Sequence, residues 1–191
     1  GDFADMLPRL KQANLSRELL VRAAKIKGAV SPTAVDATAG MGQDSLLLAA
    51  AGFTVTMFES DPVIAALLQD ALDRAATDPR LEGLVARMTL VRTDSIAALP
   101  MISPAPDVVY LDPMFPERTK SAAVKKKFQL LHHLESPCED QEALLRAALL
   151  AHPRKVVVKR PVKGPYLAGV KPSHTVAGKA VRYDCIVPPR P

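Results

Sequence analysis

The sequence predicts an α/β fold of the Rossmann-like kind, a mainly parallel sheet with helices on both faces. Three observations carry this. Short apolar, partly β-branched runs alternate along the chain with longer amphipathic runs, the pattern of βαβ units. The strand-like runs are short and read as buried, as in a sheet covered on both sides. The polar residues that stand out fall at the carboxyl ends of those runs, where open α/β sheets bind ligands.

Each element has its own signal. Residues 16–27 (SRELLVRAAKIK) read as an amphipathic helix, with Ser16 as its cap and Gly28 at its end. Residues 33–38 (TAVDAT), bounded by Pro32 and Gly40, read as the first strand. Residues 43–51 form a helix, 53–59 a second strand, and 62–76 a helix with Pro62 in its first turn. Residues 87–92 read as a third strand, and 107–111 as a fourth ending at Asp112-Pro113. A helix over 139–151, a fifth strand over 154–159 and a last strand over 181–187 complete the series. Residues 1–30 are thus a helical N-terminal segment, and 31–191 are the α/β domain.

The chain has 191 residues, enough for one domain with a well-buried core. No apolar run reaches the ~20 residues that cross a bilayer. Gly1-Asp2-Phe3-Ala4-Asp5 has no export signal, so the expectation is a cytoplasmic protein. Cys138 and Cys185 stand far apart, and His132-His133 side by side do not share a helix face. Neither a disulfide framework nor a metal site is expected. The net charge is +5. One basic cluster is Arg118, Lys120, Lys125, Lys126 and Lys127. Another runs from Arg146 through Arg154, Lys155, Lys159, Arg160, Lys163, Lys171, Lys179 and Arg182 to Arg190, with Asp184 the one acid among them. Such clusters suit either solvated faces or a polyanionic partner.

Four constellations carry chemistry. Asp36-Ala37-Thr38-Ala39-Gly40-Met41-Gly42-Gln43-Asp44 closes a strand and opens a helix. Gly40 and Gly42 let the backbone turn sharply and approach a ligand closely. A dinucleotide site places Gly-x-Gly-x-x-Gly there, with pyrophosphate at the helix N-terminus. Here Ser45 replaces the third glycine, and the nearby charges are Asp36 and Asp44. Carboxylates beside the turn suit a ligand with an ammonium or sulfonium charge, such as S-adenosylmethionine, better than a pyrophosphate. Glu59 ends the second strand 23 residues after Asp36, where an acid accepts from the ribose hydroxyls of an adenosine. The run Glu59-Ser60-Asp61-Pro62 is equally a helix N-cap region. Asp94-Ser95 follows the third strand and offers either a contact to adenine or a helix cap.

The sharpest constellation is Asp112-Pro113-Met114-Phe115 after Val108-Val109-Tyr110-Leu111. An exocyclic amine on a base is a poor nucleophile, because its lone pair is delocalised into the ring. A carboxylate (Asp112) and a backbone carbonyl (Pro113) can accept its two hydrogens, and a ring (Phe115) can stack on the base. A strand ending in Asp-Pro is also a common loop start. It is the succession of such sites at successive strand ends that favours the chemical reading.

These residues resemble a known family. The blocks Asp36-Ala37-Thr38-Ala39-Gly40, Tyr110-Leu111-Asp112-Pro113-Met114-Phe115-Pro116, Lys120-Ser121-Ala122-Ala123-Val124-Lys125-Lys126 and Val156-Val157-Val158-Lys159-Arg160-Pro161 are similar to the bacterial small-subunit ribosomal RNA methyltransferase J family. The resemblance runs from about Asp2 to Val187. It implies a class I S-adenosylmethionine-dependent methyltransferase acting on the 2-amino group of a guanine in 16S ribosomal RNA. It implies cofactor contacts at Gln43, Asp44, Glu59, Ser60, Asp94, Ser95 and Asp112. Lys120, Lys125, Lys126, Lys159 and Arg160 are then the candidates to meet substrate RNA, with the small ribosomal subunit as partner. Two departures stand out. The family usually has Arg where this chain has Gln43, and an Arg- and Gly-rich segment where this chain reads Leu7-Pro8-Arg9-Leu10-Lys11-Gln12-Ala13-Asn14. Family members also carry a further N-terminal lobe ahead of the part matched here. The competing readings are a methyltransferase for another nitrogen and a non-catalytic RNA-binding or assembly protein that keeps the fold. A dehydrogenase is disfavoured by the missing third glycine.

Overall fold

The computed structural model describes residues 2–113 and 141–189. Its strands are β1 (Thr33–Asp36), β2 (Thr54–Glu59), β3 (Met88–Arg92), β4 (Val108–Leu111), β5 (Lys155–Pro161), β6 (His174–Ala177) and β7 (Val181–Ile186). They form one seven-stranded sheet in the order β3-β2-β1-β4-β5-β7-β6. β1 to β5 pair in parallel, and β7 runs antiparallel to both β5 and β6.

The sheet has a core on each face because side chains alternate along each strand. Val108, Tyr110 and Val157 enter one core with Val55 and Met57. Their sequence neighbours Val109, Leu111, Val156 and Val158 enter the other with Val35 and Phe58. That is why the central strands read as unbroken apolar runs. Helix α4 (Gln43–Ala50) sends Leu46, Leu47 and Leu48 into the first core. Helix α8 (Gln141–Leu150) sends Leu144, Leu145, Ala147 and Ala148 into the second. Helix α5 (Pro62–Ala75) opens as the proline implies, with the Asp61 carboxylate accepting from the amides of Val63 and Ile64.

The N-terminal segment packs into the first core through Phe3, Met6, Leu15, Leu20, Ala23 and Ala24. Its helical part differs from the single helix expected over 16–27. The chain forms three short helices, α1 (Leu7–Leu10), α2 (Gln12–Leu15) and α3 (Leu19–Ala24). Ser16 closes α2 and does not open α3. α3 begins after Glu18, whose carboxylate is held by the Arg9 guanidinium through two 2.8 Å hydrogen bonds. At its far end the Lys155 ammonium donates to the carbonyls of Ala23 (2.8 Å) and Lys25 (2.9 Å). This satisfies carbonyls that a helix end leaves unpaired. Lys155 is therefore a helix cap within what the sequence shows as a basic cluster.

The sequence pattern misses β6. It pairs only with β7 at the sheet edge and has no buried position, so no apolar alternation marks it. The two short helices α6 (Glu82–Val85) and α7 (Ser95–Ala98) are likewise too short to show a period.

Candidate cofactor and substrate site

From β1 the chain moves to β2 on one side, while β4 lies on the other. The strand order therefore reverses between β1 and β4, and the crevice at that reversal is where α/β sheets take their ligands. Asp36 ends β1, Glu59 ends β2, and Asp112 and Asp94 follow β4 and β3, all at the carboxyl edge of the parallel strands; Lys159, within β5, comes just after the residue paired with the end of β4.

The loop after β1 is tied down from every side. The amide of Ala37 donates to the carbonyl of Tyr110 at 3.0 Å, and that of Ala39 to the carbonyl of Phe58 at 3.2 Å. The Thr38 hydroxyl accepts from the amide of Asp112 at 2.7 Å. Asp36 is only 1% exposed. One of its carboxylate oxygens accepts from the Thr38 amide (3.1 Å) and the other from the Ser45 hydroxyl (2.6 Å). Asp36 thus lies beneath the loop and shapes it. Burial pushes its pKa up to about 7, against the two hydrogen bonds that lower it. Gly42 caps α4 in the left-handed region, at φ 72°. A Cβ there would sit 2.7 Å from Leu68 Cδ1 and 3.2 Å from Phe3 Cζ. The turn therefore requires glycine for conformation and for space. Gly40, at φ 50°, is also left-handed, and its amide donates to Glu59 Oε2 at 3.0 Å.

Glu59 is fixed by backbone alone. Its other oxygen, Oε1, accepts from the Asp61 amide at 2.8 Å. A carboxylate has about four acceptor positions, so Glu59 keeps capacity for a pair of hydroxyls. Ser60 lies beside it, exposed. Asp94 caps α7 by accepting from the Ile96 amide at 2.9 Å. The Ser95 hydroxyl donates to the carbonyl of Ala37, which binds the end of β3 to the loop after β1.

Around Asp112 the structure builds a network. Lys159 Nζ lies 2.9 Å from Asp112 Oδ2 and 2.9 Å from Asp44 Oδ2. The Tyr110 hydroxyl donates to the same Asp44 oxygen at 2.6 Å, and the Tyr183 ring packs 6.4 Å from that of Tyr110. Burial raises the Asp112 pKa, while Lys159 pulls it down through its charge and hydrogen bond. Burial lowers the pKa of Lys159, but Asp44 and Asp112 outweigh it, so the ammonium is held well above its ordinary value. Gln43 is exposed at the start of α4, and Pro113 is buried behind Asp112.

Both β5 candidates for RNA are engaged within the protein. Lys159 is engaged by two carboxylates. Arg160 is 1% exposed, and its Nε donates to the carbonyl of Pro165. Arg182 donates to the carbonyls of Pro161, Val162 and Gly164 and pairs with Asp184. Both arginines hold the turn after β5. Lys163, Lys171 and Lys179 are exposed. Met114, Phe115, Lys120, Lys125, Lys126 and Lys127 lie outside the described residues.

Sequence reasoning passed over Thr38, Ser45, Tyr110 and Tyr183 as site residues. Thr38 and Ser45 stand in the glycine-loop motif, and Tyr110 is a hydroxyl in an otherwise aliphatic strand, but none of the three carries a role of its own in the sequence reading. Among the described residues, no group of three or more His, Cys, Asp or Glu is placed to hold a metal ion. No helix among them is long and apolar enough to cross a membrane.

The acids at the strand ends suit one class of ligand better than another. Asp44, Glu59, Asp94 and Asp112 put carboxylates at or beside the carboxyl edge of the sheet, and the nearby Lys159 ammonium is already paired with two of them. Such a set of acids fits a ribose diol and a cationic group, and opposes a pyrophosphate. With the strand order and its antiparallel β7, this defines a class I S-adenosylmethionine-dependent methyltransferase. Residues 2–188 match the model of a family described as "Putative SAM-dependent methyltransferase". The chain belongs to this family, in which its relatives are the proteins named ribosomal RNA small subunit methyltransferase J. That of Thioalkalivibrio sulfidiphilus is 47% identical over 182 residues, covering 94% of this chain and 71% of the relative. That of Nitrosococcus oceani is 44% identical over 178 residues, covering 92% and 70%. The crystal structure of a SAM-dependent methyltransferase from Neisseria gonorrhoeae superposes with a TM-score of 0.79 at 35% identity, covering 98% of this chain and 73% of that one. An rRNA methyltransferase from Streptomyces viridochromogenes shares the fold, with a TM-score of 0.60 at 19% identity over 92% of this chain and 84% of its own.

Proposed function

We propose that this chain methylates the exocyclic N2 of a guanine in 16S ribosomal RNA, as a cytoplasmic enzyme whose partner is the small ribosomal subunit. The observation that carries the reading is the placement of Asp112. Asp112 follows β4, its backbone amide donates to Thr38 in the loop after β1, and its carboxylate is held by Lys159 beside Asp44. The names of the relatives supply the substrate class. The domain that does this is 31–191, with the helical segment 1–30 completing its first core.

In this reading Gly40, Gly42, Gln43, Asp44, Glu59, Ser60, Asp94 and Ser95 hold the cofactor, and Asp36 sets the loop that presents them. S-adenosylmethionine supplies a methyl group on a sulfonium. Glu59 accepts from the ribose hydroxyls, and Asp94 from the adenine amino group. Asp112 and the carbonyl of Pro113 accept the two hydrogens of the guanine amine and favour tetrahedral geometry at nitrogen. Phe115 stacks on the base. The base must leave any stack to reach Asp112, so an unpaired or splayed guanine is preferred. Lys120, Lys125 and Lys126 meet phosphates.

The test is Asp112→Ala assayed on small subunits lacking the modification, with cofactor affinity measured in the same protein. Loss of one preorganised acceptor should lower turnover by roughly two to three orders of magnitude, with S-adenosylhomocysteine affinity retained. A folded Asp112→Ala protein that methylates near the parent rate would refute the role. Loss of cofactor binding alone would make Asp112 a cofactor residue.

A further inference from the structure

We infer that Lys159 is a positioning residue for Asp112, its ammonium bridging the Asp112 and Asp44 carboxylates and fixing where the acceptor at the end of β4 points. The inference rests on the methyltransferase reading of Asp112. It moves Lys159 out of the RNA-contacting set and into the reaction.

The geometry is specific. Lys159 is on β5, Asp112 follows β4 and Asp44 is in the first turn of α4. One nitrogen lies 2.9 Å from an oxygen of each acid. The ammonium therefore joins three separate elements at the crevice. Asp44 is fixed independently by the Tyr110 hydroxyl, so Lys159 is anchored on one side and transmits that order to Asp112. The side chain is 27% exposed, with both acceptors as its neighbours. A lysine meeting RNA phosphates needs its charge uncommitted and facing solvent; this one is already committed. Both carboxylates are partly buried beside each other, and without a cation between them they would repel.

Six charged or titratable groups interact with Asp112 from the described elements around it. Lys159 and Arg160 on β5 favour its ionised form, and Asp44 opposes it. Asp36 on β1 and Tyr110 on its own strand are coupled to it in the same acidic cluster. Tyr183 on β7 lies within reach of the same charges. Burial already raises the Asp112 pKa, and Lys159 is the strongest influence pulling it down. Removing the ammonium moves Asp112 toward its neutral form, which offers the amine one acceptor fewer.

The test compares the parent with Lys159→Met and Lys159→Arg on small subunits lacking the modification. Three quantities are followed: kcat and KM across pH, the salt dependence of RNA binding, and a carbon-13 NMR titration of the Asp112 carboxylate. Lys159→Met should lower kcat by roughly 10- to 100-fold at neutral pH, as for a lost orienting group. It should leave KM for the particle within about threefold, keep the salt slope, and shift the acid limb and the carboxylate titration to higher pH. Lys159→Arg keeps the charge and should return both toward the parent position. Should Lys159→Met fail to fold, Lys159→Gln replaces it. A raised KM and flattened salt slope, with kcat and the titration unmoved, would make Lys159 a phosphate contact and overturn the inference. An unchanged enzyme would do the same. If the parent itself fails to methylate the particles, the RNA reading falls, and the carboxylate titration still decides whether Lys159 governs Asp112.

Discussion

Replacing Asp36 by Asn should stabilise the folded protein at neutral pH and flatten the pH dependence of its stability. Asp36 is 1% exposed, and its folded pKa is raised from 3.8 to about 7. A carboxyl whose pKa is raised on folding binds more protons in the folded state. Its contribution is fully present below pH 3.8 and is lost as pH climbs through about 7. At about 1.4 kcal/mol per pH unit, that interval corresponds to about 4 kcal/mol between the protonated and ionised limits. The amide is nearly isosteric with the neutral acid and can still accept from the Thr38 amide. Its NH₂ would donate to Ser45 Oγ, reversing the present 2.6 Å hydrogen bond at a cost of about 1 kcal/mol. The two proteins should therefore agree within about 1 kcal/mol near pH 4.5, and Asp36→Asn should lead by about 3 kcal/mol near pH 8. Urea unfolding at four or five pH values measures both curves. A difference that stays constant across that range would refute the reasoning, because it would mean that Asp36 titrates alike in the folded and unfolded chains.

Two further predictions concern the same loop. Glu59→Ala should weaken S-adenosylhomocysteine binding by about 1–3 kcal/mol, since ribose hydroxyls and the Gly40 amide lose their acceptor; calorimetry showing unchanged affinity in a folded protein would remove the role. Gly42→Ala should cost about 2–4 kcal/mol, combining the left-handed backbone with a Cβ forced against Leu68; a melting temperature close to the parent's would show that α4 can shift to make room.

Several features of the site were legible in the sequence because strand ends are marked locally. Asp36, Glu59, Asp94 and Asp112 each follow a short apolar run, and a parallel sheet brings such ends to one edge whatever the details of packing. Gly42 was legible for a similar reason, since a tight turn from strand to helix has a residue requirement of its own. The cap roles weighed for Asp61 and Asp94 also depend on sequence neighbours alone, and both caps form.

The fate of the basic residues was not legible. Lys155, Lys159, Arg160 and Arg182 stand in one cationic stretch of sequence, where nothing distinguishes a surface charge from a buried one. Their partners are far away in the chain: the carbonyl of Ala23 for Lys155, and Asp44 for Lys159. Charge in a strand takes its meaning from what lies across the sheet, and only the tertiary fold sets that. The same holds for β6, which pairs with β7 alone at the sheet edge, and for the break between α2 and α3, beside which Arg9 of α1 pairs with Glu18. By itself the sequence determined the alternation of strands and helices, the glycine turn and the acids at the strand ends, because each is written in short-range spacing. The tertiary structure decided which charges meet, because a lysine becomes a cap, a bridge or a free surface group only when distant backbone and carboxylates are brought within hydrogen-bonding distance of it.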